Sequence, residues 1–384
     1  LEVLVAPTIK KQETALNYKT TPRPHAIRCA IAMLLSAPAA AALAQSSVTV
    51  YGLLDTGIAH MSNANAAGDS VTKMPTLTGS FPSRLGFRGS EDLGGGLQAI
   101  FTLETGLGVD TGNQGQNRLF GRQASVGLKG AFGEIAFGRQ INMTYLATQK
   151  SDVMGPNLFS ISSIDSYLPN ARSDNSIFYL GRFKDFVAGA TYSTGRDTSA
   201  AGGPAGTNCP GEVAGNAKAC RQATGLLGYE TKPFGVTASY DILYGNTGAA
   251  GGLTSSANSD KRITLNGYVM VGAGRIGGGV VDRSTRAATG LQESDLYYLG
   301  VSYPVGPLTT LDTQVARRDL KGSDADATLL VARLTYYLSK RTALHASLGR
   351  MKNSGISAIS LDAGGTVGAG KTQNGVLVGL RHTF

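Results

Sequence analysis

Apolar and polar residues alternate one for one along most of this chain. In Val236-Thr237-Ala238-Ser239-Tyr240-Asp241-Ile242 one face carries Val, Ala, Tyr and Ile, and the other Thr, Ser and Asp. The same period of two runs through Val48 to Leu54, Leu97 to Glu104 and Ile263 to Val269. It is the spacing of a strand whose faces meet different surroundings, and no helix keeps it. Segments of this kind fall at about 47–59, 83–92, 95–108, 118–130, 133–140, 174–182, 185–195, 222–231, 234–245, 260–271, 274–285, 293–303, 308–320, 326–338, 341–352 and 374–384. Short connections such as Asp92 to Gly95, Gly130 to Gly133, Lys232-Pro233 and Pro304 to Pro307 alternate with longer ones rich in Gly, Ser, Asn and Ala. The pattern predicts an all-β fold, a transmembrane antiparallel β-barrel of about 16 strands with short turns at one rim and long loops at the other. A soluble sandwich or propeller also alternates, but it accounts less well for the strand number and the alternating loop lengths.

The amino terminus follows a different pattern. Lys10, Lys11, Lys19, Arg23 and Arg28 precede an apolar, alanine-rich run from Cys29 to Ala44 that ends Ala42-Leu43-Ala44 before Gln45. A basic lead, a short apolar core interrupted by Pro38 and a small-x-small cleavage site are the marks of an export signal. The expected organisation is therefore residues 1–44 as a signal peptide with an upstream extension of uncertain start, and 45–384 as the barrel. No functional reading rests on Leu1 to Lys19. After the first fifty positions no run reaches the ~18 apolar residues of a membrane helix, so any crossing is made by strands.

Composition narrows the function. Glycine, 52 of 384 residues, is about twice its usual ~7% and follows no triplet period, which suits many turns and small inward positions. Tryptophan is absent, so aromatic belts would come from 15 Tyr and 12 Phe. Loss of residues 1–44 removes five of 35 basic and two of 26 acidic side chains, leaving 30 − 24 = +6. The arginines are spread through the chain rather than set in a basic stripe with stacking aromatics, which excludes nucleic acid as a partner. Cys209 and Cys220 lie eleven residues apart in Gly/Pro/Ala-rich sequence, and in an oxidising compartment they are expected to form a loop disulfide. His60, His345 and His382 are isolated, so no metal, cofactor or catalytic triad is expected, and the chain does not read as an enzyme.

Four fragments in order carry a resemblance. They are Ser47 to Gly52 (SVTVYG), Ser83 to Leu97 (SRLGFRGSEDLGGGL), Leu119 to Leu128 (LFGRQASVGL) and Phe137 to Gln140 (FGRQ). With the last stretch, Val378 to Phe384 (VGLRHTF), they resemble the general porins of Gram-negative bacteria, most closely the beta-proteobacterial branch, over essentially residues 45–384. The resemblance implies a 16-stranded homotrimer in the outer membrane, in contact with its lipid and lipopolysaccharide, with a third extracellular loop folded inward. It implies passive diffusion of ions and small hydrophilic solutes, and that Phe384 is read by the barrel-assembly machinery. His382 departs from the pattern, taking a position where bulky apolar residues are common. A non-conducting adhesin or structural barrel is the alternative, as is a substrate-specific sugar or anion channel, for which Tyr268 and Tyr298 form no aromatic track.

The chemistry sought is that of a pore. Residues 141–173, the long connection after the fifth segment, contain Pro156, Pro169, Asp152 and Asp165 and are expected to form the constriction loop. Arg84 and Arg88 share a face with Gly86, across from outward Leu85 and Phe87, so both are expected to point into the lumen. The resemblance adds Arg122 and Arg172 to Arg84 as the basic wall. Arg122 has the parity of outward Ala124, Val126 and Leu128, and Arg139 that of outward Ile135 and Phe137, so both conflict with simple alternation unless a bulge or a protomer contact intervenes. Arginines set across from Asp152 and Asp165 would favour anions mildly, since a guanidinium stays charged at any relevant pH.

Overall fold

The computed structural model describes residues 47–76, 78–198 and 206–384. The expected signal peptide lies outside them. Among the described residues the strands are β1 Ser47–Met61, β2 Val71–Lys73, β3 Arg84–Gly94, β4 Leu97–Gly106, β5 Gln123–Gly130 and β6 Gly133–Ile141. They continue as β7 Arg172–Phe183, β8 Phe186–Ser193, β9 Gln222–Glu230, β10 Phe234–Tyr244, β11 Ser259–Val271 and β12 Gly274–Ala287. The last five are β13 Gly290–Gly306, β14 Thr309–Leu320, β15 Ala327–Tyr337, β16 Thr342–Asn353 and β17 Thr372–Thr383.

From β3 onward each strand pairs antiparallel with the next. β1 closes the ring, pairing with β17 from Leu53↔Thr383 to Met61↔Gly375 and with β3 from Ser47↔Ser90 to Leu53↔Arg84. The short β2 pairs only with the end of β1, so the seventeen strands less this one make a closed wall of sixteen. Closure leaves no unpaired edge, which a strand crossing lipid requires.

The burial pattern inverts that of a soluble sheet. On β10, Thr237, Ser239 and Asp241 are 6%, 5% and 2% exposed, whereas Val236 and Tyr240 are 50% and 44% exposed. β16 repeats this, with His345 and Ser347 buried and Leu344 and Leu348 exposed. An apolar exterior around a polar interior is stable where the exterior meets hydrocarbon.

Two strands differ from the sequence reading by three residues or more. β5 starts at Gln123 rather than near 118, so Leu119 to Arg122 belong to the connection before it. β13 runs from Gly290 to Gly306 instead of 293–303, and its ladder with β12 continues out to Ala287↔Gly290. Near that tip Glu293 pairs with Ser284 and Gln292 with Thr285. Both faces are polar there, and the alternation that marks a strand in sequence disappears while the ladder persists.

Residues 142–171, between β6 and β7, open with the helix α1 Met143–Thr148, whose first turn is capped by the Asn142 side chain accepting from the Thr144 N–H at 3.2 Å. Cap acceptors of this kind satisfy one of a helix's orphan N–H groups. The Thr144 hydroxyl donates to Asp241 of β10 at 2.7 Å, and Thr237 of β10 donates to the Ala147 carbonyl at 2.7 Å. Farther on, Met154, Phe159, Ile161 and Leu168 are buried among Val281, Leu296, Leu329, Val331, Met351 and Leu377, side chains of β12 to β17. Glycines make room for them. A Cβ on Gly277 would stand 2.3 Å from the Ser151 carbonyl oxygen, and one on Gly375 2.8 Å from the Phe159 ring.

Candidate pore lining

The basic side chains of the early strands gather around one carboxylate. Glu104, the eighth residue of β4, accepts from Arg122 Nε at 2.6 Å and from the Tyr51 hydroxyl at 2.9 Å, and lies 3.7 Å from Arg84 Nε. Arg172, the first residue of β7, donates from Nε to the Arg122 carbonyl at 3.0 Å and from Nη1 to Asn170 at 3.3 Å. Arg84 and Arg122 thus flank Glu104, and Arg172 joins the cluster through the Arg122 carbonyl. Arg88 stands apart from it. It is exposed, with its guanidinium 5.1 Å from the centre of the Tyr51 ring.

The two parity conflicts have separate causes. Arg122 precedes the first ladder residue of β5, Gln123, so the pleat does not set its direction. Its N–H instead donates to the Glu104 carbonyl at 3.1 Å, which turns the side chain toward Glu104. Arg139 follows Gly138, whose φ is +116°, at a register shift in the β6–β7 ladder. The bulge rotates it out of the alternation, and it donates to the Gly121 carbonyl at 2.6 Å and to Asp174 at 2.5 Å. Asp174 also takes two bonds from Arg118.

The loop carboxylates do not face these arginines, which corrects the expected pairing. Asp165 accepts from Arg262 of β11 at 2.8 and 3.1 Å, with Arg283 of β12 3.9 Å away. Burial acts to raise its pKa, but Arg262 and Arg283 outweigh it and hold the carboxyl below its ordinary value. Asp152 accepts from Gln314 of β14 at 2.8 Å and from its own loop's Met154 N–H at 3.2 Å. Burial pushes it up to about 6 against these bonds and the more distant Arg333. Asp165 therefore pairs with a second arginine set, which continues from β11 and β12 to Arg333 of β15 in whose field Asp152 lies. Arg333 of that set holds Asp312 at 2.8 Å and donates to the Met154 carbonyl at 2.9 Å.

Several lining residues escaped the sequence reading. Glu104 lies within an alternating segment and is the common partner of Arg84 and Arg122. His345, which had no visible partner in sequence, stands with Nε2 2.9 Å from Asp55 of β1, both side chains being fully buried. Asp55 in turn accepts from the Ser80 and Phe81 N–H groups at 3.0 and 2.9 Å, so the pair fastens the first long loop to the wall. Neither Ser347 Oγ nor His345 Nδ1 has a hydrogen-bond partner, so the two side chains are not bonded to each other. Arg262 and Arg333, which the sequence reading did not single out, lie on the inward parity beside outward Ile263 and Leu334, but parity alone does not tell a pore arginine from a loop clamp.

Cys209 and Cys220 are joined, S–S 2.03 Å, and buried with Leu243, Ala249 and Leu253. Phe384 exchanges two backbone hydrogen bonds with Gly52, each 3.1 Å, across the closing seam.

Residues 30–356 match the family described as Gram-negative porin. Outer membrane porin protein 32 of Delftia acidovorans is 35% identical over 375 residues, 92% of this chain and 99% of that protein. An outer membrane porin protein of Bordetella pertussis is 31% identical over 395 residues, 92% of this chain and 98% of its own length. Among solved structures, the anion-selective porin from Comamonas acidovorans superposes with a TM-score of 0.71 at 29% identity, over 88% of this chain and 100% of that one. Salmonella typhi OmpF, at 16% identity and a TM-score of 0.64 over 88% of this chain and 97% of its own, shares the fold.

Proposed function

Since the chain belongs to the Gram-negative porin family and is an outer-membrane diffusion channel, we propose that its pore prefers anions mildly and that Arg84, Arg122 and Arg172 set the preference. The observation that carries this is the cluster itself, Arg84 and Arg122 on the single carboxylate of Glu104 with Arg172 bonded to the Arg122 carbonyl. The loop acids that could cancel it are engaged elsewhere, Asp165 by Arg262 and Asp152 by Gln314. Residues 142–171, seated on inward positions of β10 to β17, are the constriction loop in this reading. Arg88, exposed on the same face as Arg84, extends the basic wall toward the short-turn rim. Arg139, bonded to Asp174, braces the cluster rather than lining the path.

Two unit charges about 4 Å apart interact by roughly 1 kcal/mol in water and about 4 at an effective dielectric near 20. A few fixed arginines therefore bias permeation without trapping an ion, which conduction requires. The Debye length falls from about 10 Å at 0.1 M to about 3 Å at 1 M, so the bias weakens in concentrated salt. The anion-selective structural relative supports the same sign.

Reversal potential across a KCl gradient tests this. The wild type is expected to prefer chloride, and Arg84→Gln with Arg122→Gln to move the potential toward zero. Cation preference in the wild type, or an unchanged potential in the double variant, would overturn the assignment. The same reading takes the protein as an exported homotrimer, with residues 1–44 as its signal and Phe384 as the signal recognised by the barrel-assembly machinery.

A further inference from the structure

A second basic site lies below the constriction and rests on the anion reading above. A cavity of about 370 Å³ is lined by Arg84, Arg275, Arg333 and Arg381 and by one carboxylate, Asp312. Its place in the barrel follows from its other walls. Tyr337 ends β15, Thr383 ends β17 and Arg275 is the second residue of β12, all at the short-turn rim, while Phe81 and Val153 come from the long loops on its far side. Four guanidiniums less one carboxylate leave an excess of three positive charges on its lining.

These arginines are not equivalent. Arg333 is committed to Asp312 and to the Met154 carbonyl. Arg84 is tied to Glu104 and the Pro82 carbonyl. Arg381 spends one bond on the Ser80 hydroxyl at 3.2 Å, with its guanidinium 4.9 Å from the Phe81 ring centre, and has no ion pair among the described residues. Arg275 has neither a hydrogen bond nor an ion pair among them. It shares the inward face of β12 with Gly277, which meets the Ser151 carbonyl, and it pairs in the ladder with Ser302, whose side chain also lines the cavity.

We propose that Arg275 and Arg381 form an anion-binding subsite on the periplasmic side of the constriction, suited to small multivalent oxyanions of the inorganic phosphate type. A planar guanidinium matches two oxygens of one anion at once. An oxyanion with two or more charges offsets more of the local excess than chloride does. The hydroxyls of Ser302, Thr335 and Thr383 supply both donors and acceptors to its remaining oxygens. Because a sixteen-strand porin leaves an aqueous channel, binding is weak and reversible, so the subsite concentrates its ion without sealing the pore.

The test is single-channel chloride conductance at fixed ionic strength with rising inorganic phosphate, gluconate replacing it as a monovalent control. Phosphate is expected to lower wild-type chloride conductance at concentrations where gluconate has little effect. Arg275→Gln with Arg381→Gln is expected to raise the half-blocking concentration roughly tenfold or more, because two charge-assisted contacts are lost. Arg286→Gln, on the other parity at the opposite end of β12, leaves it unchanged. Should the double variant fail to assemble, Arg275→Gln alone removes no bond from the wall and still shifts the half-block by about threefold. Equal phosphate sensitivity in the variants and the wild type, or phosphate acting no differently from gluconate on an anion-preferring wild type, overturns the subsite. Reversal potential in phosphate-free KCl reports separately on the selectivity reading.

Discussion

Asp152 shows how one buried side chain couples the pore to pH. Its carboxyl is desolvated and titrates at about 6, above the ordinary 3.8. The neutral form therefore suits the folded loop, and this contribution to stability is complete below the ordinary value and lost as pH rises through about 6. Between about pH 7 and pH 5 the loop sheds one negative charge, and anion preference is expected to rise. Gln314 and Arg333 face the same carboxyl. Reversal potentials at the two pH values check this. In Asp152→Asn that part of the pH dependence should vanish, and its persistence would assign the titration to another group.

At the scale of elements, the seat of residues 142–171 depends on what the wall leaves out. Gly277 lets the Ser151 carbonyl approach β12, and a Cβ there would overlap it at 2.3 Å. Gly277→Val is expected to push the loop toward the pore axis at about 1–3 kcal/mol of overpacking, with lower single-channel conductance and an intact barrel. Conductance equal to wild type would show that the loop does not narrow the path. The Cys209–Cys220 link belongs to a different element, the connection between β8 and β9. A loop of about 12 residues gains roughly 3 kcal/mol at most from such a bridge in the chain-entropy model, and the sixteen-strand ladder does not depend on it. Reduction is expected to leave folded mobility and conductance unchanged while opening that connection to protease. Loss of the folded band on reduction would contradict this.

For the whole molecule, the apolar exterior is the governing feature. Leu227, Leu265, Leu299, Leu330, Leu348 and Val378 stand exposed on outward parities of β9, β11, β13, β15, β16 and β17, and together they are expected to form a band about 25 Å tall with aromatic edges. Part of this face is expected to contact neighbouring copies rather than lipid. Cross-linking in native membranes should trap trimers, and recovery of monomers alone would remove the trimer while leaving the barrel. The seam where β1 meets β17 is sealed by the Phe384 and Gly52 backbones, so the two ends of the described chain complete the same wall.

The alternation of side chains determined much of this by itself. A period of two, repeated in sixteen segments, specifies antiparallel strands with unlike faces, and β10 and β16 fold as that pattern reads because lipid and water select opposite faces of each strand. The inward directions of Arg84, Arg262 and Arg333 follow from the same rule. What tertiary structure alone decided is which charge meets which. Glu104 joins Arg84 to Arg122, and Asp165 takes Arg262 across 97 positions of sequence. Asp55 reaches His345 only because the barrel closes. Parity tells which face a side chain occupies, but not the height and angle around the barrel at which two distant strands bring their charges together. Nor could it foresee the bulge at Gly138 that redirects Arg139, because a bulge breaks the very period from which the strands were read.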